Sequence, residues 1–242
     1  MSLSELWSLY GQNYIDALLA TWGMTLESFA IAMVLAVAVT VMRVSPLKPL
    51  RVFGDLYVQV FRNIPGIALL IIVVYALPPL KVVLPYRTCV IVATVLLGSA
   101  FGSENFMSGI NTVGVGQVEA ARSLGMSFNR ILAKIVIPQA LRSSVLPMTN
   151  LFIAVMLTTA LGSQVLSLAE VKNYPMICLG RETMTYQFYS QFFLKHCLEL
   201  TPNTRSLGGV AAFFISALGY LGTAFVVSHI GNYIDKKVRI LR

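Results

Sequence analysis

Gly109 and Gly114 have the spacing with which a phosphate-binding loop begins, so nucleotide chemistry is the first possibility the sequence raises. Such a loop needs G-x-x-x-x-G-K-[ST], because backbone amides cradle the phosphates while the lysine reaches the outer ones. Val115 stands where that lysine must be, and the chain is not expected to bind ATP itself. The overlapping GVGQVE fails as a dinucleotide fingerprint, since Glu119 occupies the place of the third glycine. His196, Cys197, Cys178 and Glu199 offer metal-binding atoms, but without paired ligand spacing, and no metal site is expected. No nucleophile, base and orienting group stand together, so an intramembrane enzyme is poorly supported. The remaining chemical groups of interest are Glu27 and Glu104, acids in apolar stretches, whose structural reading is interfacial or interhelical hydrogen bonding and whose functional reading is ion coupling.

The elements that position these residues are set by composition. Of the 242 residues, 57% are hydrophobic and only 12% charged, against roughly a quarter charged in soluble domains. An all-α, multi-span membrane protein is expected. The net charge of +8 does not mark a nucleic-acid partner, because the bases lie between hydrophobic runs and form no aromatic-interleaved stripe. Five runs approach the roughly 20 residues a bilayer demands: about 25–42, 64–80, 88–110, 144–166 and 207–230. In the second, Pro65 falls in the first turn, where no intrahelical bond is lost, Asn63 is a plausible cap, and Pro78 with Pro79 ends the run. The segment before the first span carries Glu5 and Asp16 and no basic start, so it is read as retained, as a peripheral amphipathic helix.

Counting bases on alternate sides orients the spans. Eleven lie on one side: Arg43, Lys48, Arg51, Arg122, Arg130, Lys134, Arg142, Lys236, Lys237, Arg239 and Arg242. Six lie on the other: Lys81, Arg87, Lys172, Arg181, Lys195 and Arg205, with Arg62 at a boundary. The richer side is expected to be cytoplasmic, placing the N-terminus outside and the C-terminus inside.

On that richer side lies EAARSLGMSFNRILAKIVIP, residues 119–138. Phe128, Ile131, Leu132 and Ile135 recur at i, i+3, i+4 and i+7, with Arg130 and Lys134 on another face, and Ser127 can cap this helix. Before it, 117–124 reads as a short helix with Glu119 in its first turn, favourable to the helix dipole. Gly125 allows a tight turn between them, and Pro138 is expected to stop the second helix. A helix lying on lipid would share the amphipathicity, but not this arrangement.

Glu119-Ala120-Ala121, Gly125, Ile135 and Pro138 resemble the cytoplasmic signature of bacterial ABC importer permeases, E-A-A, three residues, G, nine residues, I-x-L-P, with Ile137 in place of the leucine. LYVQVFRNIP (56–65), GINTVGVGQVEAARSLGM (109–126) and LPMTNLFI (146–153) are similar to the polar amino acid branch, which includes histidine, glutamine and glutamate systems. The resemblance covers the chain from about Met24. It implies a type I importer permease fold in a single domain, with a coupling loop at about 114–140 that seats on a separate ATP-binding subunit, and Glu119 and Gly125 as the chief coupling residues. ATP and Mg would bind to that subunit, with no cofactor in this chain. It further implies a second permease subunit, a periplasmic or surface substrate-binding protein, membrane lipid as surroundings, and the bacterial inner membrane as location. Pathway positions carried over from the branch are Asn63, Pro65, Leu69, Glu104, Met107, Leu157 and Thr158. Relatives commonly carry glutamine, arginine and a Lys-Asp or Lys-Asn pair where this chain has Leu69, Met107 and Leu157-Thr158, so a related partner in a heterodimer is expected to supply the polar contacts.

Three further expectations accompany this reading. The outer segment, about 167–206, has Cys178 and Cys197 and tyrosines and phenylalanines at 186, 188, 189, 192 and 193, and is read as a receptor surface or an interfacial helix, with free thiols expected over a disulfide. Gly219 and Gly222 with Ala217 and Ala224 form a small-residue face suited to helix packing or subunit pairing. A secondary transporter, or a permease for another small solute, is the alternative function; five spans do not divide into the equal repeats such transporters use.

Overall fold

The structure, a computed structural model, describes residues 3–162, 165 and 205–238. Among these there are helices and turns and no strand. In chain order they are α1 (Leu3–Val44), α2 (Lys48–Asn63), α3 (Gly66–Ile71), α4 (Tyr86–Asn111), α5 (Val115–Ser123), α6 (Phe128–Ile131), α7 (Ile137–Ser143), α8 (Val145–Thr159) and α9 (Arg205–Val238). Among the described residues two unbroken helical stretches, Leu18–Val44 and Tyr86–Asn111, are long and apolar enough to cross a membrane. Two further spans arise if α2 with α3, and the 128–143 helices with α8, are each counted as one broken span. The 34 residues of α9 exceed the length a span requires.

Several expectations are corrected. The N-terminal segment is not a separate peripheral helix: α1 runs unbroken for 42 residues into the first span, with no proline to stop it. The stretch 48–63 is a helix, α2, whose charged Lys48, Arg51, Asp55 and Arg62 conceal it from a search for apolar runs. Asn63 does not cap α3. Its Nδ2 donates to the Gln59 carbonyl of α2 at 2.7 Å, and α3 starts after Pro65 without a side-chain cap. Beyond Ile71 the helix widens into a π turn at Ile72–Ala76, tightens to 3₁₀ at Pro78–Leu80, and ends at Lys81 in the left-handed region (φ 63°). Pro78 and Pro79 thus end the run as expected. The outer segment, both its cysteines, His196 and Glu199 lie outside the described residues; Cys89 is buried, its thiol donating to the Leu84 carbonyl at 3.7 Å.

The chain divides into two compact units. One comprises residues 1–30, 64–95 and 154–225. Its core includes Met24, Leu69, Leu70, Val73 and Val90, and buried Thr25 satisfies its hydroxyl by donating to the Thr21 carbonyl at 2.7 Å. Glu27 of α1 accepts a bond from Arg87 of α4 at 2.5 Å, and the Tyr86 hydroxyl donates to the Gly162 carbonyl. Glu27 is therefore an interhelical partner, its structural reading.

The other unit comprises residues 31–63, 96–153 and 226–242. Without a strong hydrophobic drive between helices in lipid, close approach at small residues supplies the packing. Ala36, Ser99, Ala100 and Ser103 are fully buried, and a Cβ on Gly102 would meet the Ala36 Cβ at 2.8 Å. On Gly109 a Cβ would come within 2.3 Å of Ser144 Oγ and 2.6 Å of the Ala140 carbonyl oxygen, and on Gly231 within 2.3 Å of Thr149. The small-residue face expected at 217–224 is different: nothing lies within 4 Å of a Cβ added to Gly222. Gly109→Ala is accordingly expected to cost about 1–3 kcal/mol, because the Ala140 backbone cannot retreat cheaply. Gly222→Ala should leave the isolated chain as stable or more so, since alanine is the better helix former. Thermal unfolding of the purified variants checks the contrast; equal melting temperatures would contradict the packing.

Candidate functional site

The segment 114–143 is built as two helical arms joined at one glycine. α5 begins after Gly114 and runs to Ser123, and it closes with paired bonds from Gly125 N to the Arg122 carbonyl (2.9 Å) and Met126 N to the Ala121 carbonyl (3.1 Å). This is a Schellman ending, which requires the residue after the cap to be left-handed; Gly125 has φ +75°. Met126 folds back onto a small core in which Val113, Ala121, Ile131 and Val136 are buried, with Leu132 and Ile135 packed against it. Gln139 Nε2 donates to Gln117 Oε1 at 2.6 Å, tying the returning arm to the first.

Three local expectations change. α5 starts at Val115, earlier than the sequence suggested, so Glu119 sits a full turn in and gains little from the helix dipole. Ser127 occupies the N-cap position of α6, but its hydroxyl makes no cap bond; its carbonyl accepts from Arg130 N and Ile131 N. Pro138 does not stop the helix. Leu132–Val136 forms a π turn and Pro138 lies at the start of α7, where the wider turn accommodates its missing N–H and its ring.

The signature residues divide by burial. Ala121 is buried and Ile135 and Pro138 half-buried, so they hold the arms together, whereas Glu119, Ala120 and Gly125 are exposed. The same segment exposes large apolar side chains that periodicity alone does not mark as surface: Leu124 is 82% exposed, Val115 71% and Phe128 51%. Periodicity groups Phe128 with Ile131 on one apolar face. The helix break at Gly125 shifts α6 so that Ile131 enters the core and Phe128 does not. An exposed apolar tip flanked by Glu119 and Arg122 has the composition of a protein contact.

The positions carried over as pathway residues are divided between the two units. Leu69 is buried in the first unit, at 4% exposure, and Leu157 is 50% exposed on α8, where the Thr158 hydroxyl donates to the Ala154 carbonyl at 2.8 Å. Asn63 and Pro65 are exposed at the α2–α3 break. Met107 is half-buried. Glu104 belongs to a charge network that topology counting had concealed. Arg43 of α1, its side chain only 12% exposed, donates Nε to Asp55 of α2 at 2.8 Å and Nη1 to Glu104 of α4 at 3.1 Å. Arg62 approaches the same Glu104 at 3.5 Å, with its guanidinium 5.5 Å over the Phe101 ring. Ser103 receives bonds from Arg43 and Thr40, and the hydroxyls of Tyr57 and Ser99 meet at 2.7 Å. Two arginines and two carboxylates make the cluster neutral, and both carboxylates of interest, Glu27 and Glu104, are engaged by arginine.

Comparison with known proteins agrees with this architecture. Residues 28–240 match the family described as the binding-protein-dependent transport system inner membrane component. The chain is 35% identical over 173 residues to the glutamate transport system permease protein GluC of Corynebacterium efficiens, covering 66% of this chain and 76% of that one. It is 34% identical over 165 residues to the L-cystine transport system permease protein TcyB of Bacillus subtilis, covering 66% and 70%. Its fold matches a crystal structure of an amino acid ABC transporter with histidines at a TM-score of 0.78 and 20% identity, over 98% of this chain and 99% of that one. The ordered two-arm loop, the helical spans and the match over residues 28–240 together show that this chain belongs to the family of inner membrane components of binding-protein-dependent transport systems.

Proposed function

We propose that this chain is the membrane half of an ATP-driven importer for amino acids, and that the 114–140 loop transmits motion from a separate ATP-binding subunit. The observation that carries the reading is the tip of the loop: Glu119, Ala120, Leu124, Gly125 and Phe128 are exposed together on arms anchored by their own buried core. Glu119 offers a carboxylate for charge-assisted bonds, Ala120 allows close approach, and Leu124 and Phe128 supply apolar area. ATP and Mg belong on the partner. Relatives named for glutamate, cystine and glutamine transport favour an amino acid as cargo. Ion coupling is disfavoured, because Glu27 and Glu104 are neutralised by Arg87, Arg43 and Arg62.

The base count supports a cytoplasmic loop and an outer N-terminus. Leu69, Met107 and Leu157 leave this chain few polar groups for a zwitterion, whose lost hydration must be replaced. The reading is therefore a heterodimer whose related partner supplies those contacts, with a soluble substrate-binding protein delivering the cargo. Purifying the tagged chain from its native membrane and identifying co-eluting subunits tests this. An ATP-binding protein and a second, distinct permease are expected; a single permease species that transports normally would overturn the heterodimer.

A further inference from the structure

At the end of the apolar stretch Leu18–Val44 lies a groove of about 130 Å³ lined by apolar side chains and by Thr40, whose hydroxyl is engaged by the Ala36 carbonyl and Ser103. It is formed by Val41 and Val44 of α1, Ile110 of α4, Leu132 of the π turn, and Ile137 and Leu141 of α7. In a regular α-helix Leu132 and Ile137 would point more than a third of a turn apart. The π turn at Leu132–Val136 winds five residues through little more than one turn, so Leu132, Ile137 and Leu141 line up along one wall. Val41, Ile137 and Leu141 remain 60%, 41% and 52% exposed.

Three exposed bases adjoin this groove in sequence: Lys48 four residues beyond Val44, Lys134 within the π turn, and Arg142 next to Leu141. None has a carboxylate partner among the described residues, whereas Asp55 and Glu104 nearby in the same unit are engaged by arginines. We propose that the groove is a binding site for an anionic phospholipid of the leaflet facing the α5–α6 turn, with an acyl chain between α1 and α7 and the phosphate among Lys48, Lys134 and Arg142. The apolar walls end where the span ends, which is the depth at which an acyl chain meets its headgroup. Bases at that level attract anionic lipid with an energy equivalent to about fivefold in affinity each. Because Leu132 and Ile137 belong to the returning arm of the loop, bound lipid would brace that arm against α1.

The test uses the full chain with Trp7 and Trp22 replaced by phenylalanine and Leu141→Trp as the reporter, in phosphatidylcholine nanodiscs. Dibrominated phosphatidylglycerol or dibrominated phosphatidylcholine is added at equal mole fractions, and fluorescence quenching is read. Phosphatidylglycerol is expected to reach half-quenching at a mole fraction about fivefold lower or more, and Lys48→Gln, Lys134→Gln and Arg142→Gln together should abolish the difference. Leu218→Trp, on the exposed face of α9, should be quenched equally by both lipids. Equal quenching at Leu141→Trp, a preference that survives neutralisation, or no quenching by either lipid would overturn the proposal, the last because protein would then cover the groove.

Discussion

Glu119→Lys is expected to insert and fold normally and to abolish substrate-stimulated ATP hydrolysis by the partner subunit. The side chain is exposed and makes no ion pair among the described residues, so the change removes nothing that holds the loop together. It reverses the charge offered to a partner, and losing a charge-assisted bond and gaining repulsion should reduce association by several kcal/mol, or more than about a hundredfold. Gly125→Trp should act similarly for a different reason. Nothing lies within 4 Å of its Cβ, so the indole would not clash inside the turn; it would project from the docking surface. The φ of +75° adds a folding cost of about 1 kcal/mol for any residue with a Cβ. Gly125→Ala separates the effects, since it carries the strain without the bulk and should retain most coupling. Transport at the unmodified rate by both Glu119→Lys and Gly125→Trp would remove the loop from the coupling route.

The second large effect is expected at Arg43. Its guanidinium is nearly buried and is shared between Asp55 and Glu104, so Arg43→Met leaves Asp55 with no ion-pair partner among the described residues and Glu104 with Arg62 alone. Removing one partner of a buried charge pair typically costs about 3–5 kcal/mol. Here both acids are partly exposed and can be rehydrated, which lowers the expectation to about 2–3 kcal/mol. For a chain of this size that is a fall of roughly 5–10 °C in melting temperature. Adding Asp55→Asn and Glu104→Gln to Arg43→Met should recover much of the loss, because the stranded charges disappear with their partner. Arg43→Lys should recover less, since an ammonium cannot span two carboxylates as a planar fork does. A melting temperature unchanged by Arg43→Met would show that the network is incidental.

These two sites differ in how far they could be read from sequence. The signature around Glu119 and Gly125 is local: spacing fixes the arms, and a glycine after a short helix points to a left-handed ending. The network around Arg43 is not local. Its members come from α1, α2 and α4, and base counting treated Arg43 as one of many topology charges. Asp55 was hidden because α2 mixes charged residues with apolar ones and never reaches the length that marks a span. Pro138 misled for another reason. Proline usually ends a helix, and only the π turn before it, which no residue pattern announces, lets the helix continue. Burial likewise sorted residues that periodicity had grouped, sending Ile131 inward and leaving Phe128 outside. The apolar spans were legible in outline because membrane length imposes them, while their breaks depend on tertiary context.

The most direct test of the account is uptake into proteoliposomes. The chain would be reconstituted with its co-purifying permease, ATP-binding subunit and substrate-binding protein, with labelled amino acid outside and ATP or a non-hydrolysable analogue within. The account predicts uptake that requires hydrolysable ATP, persists when ion gradients are collapsed, and is lost in Glu119→Lys. Uptake by this chain without ATP, driven by a proton or sodium gradient, would contradict it.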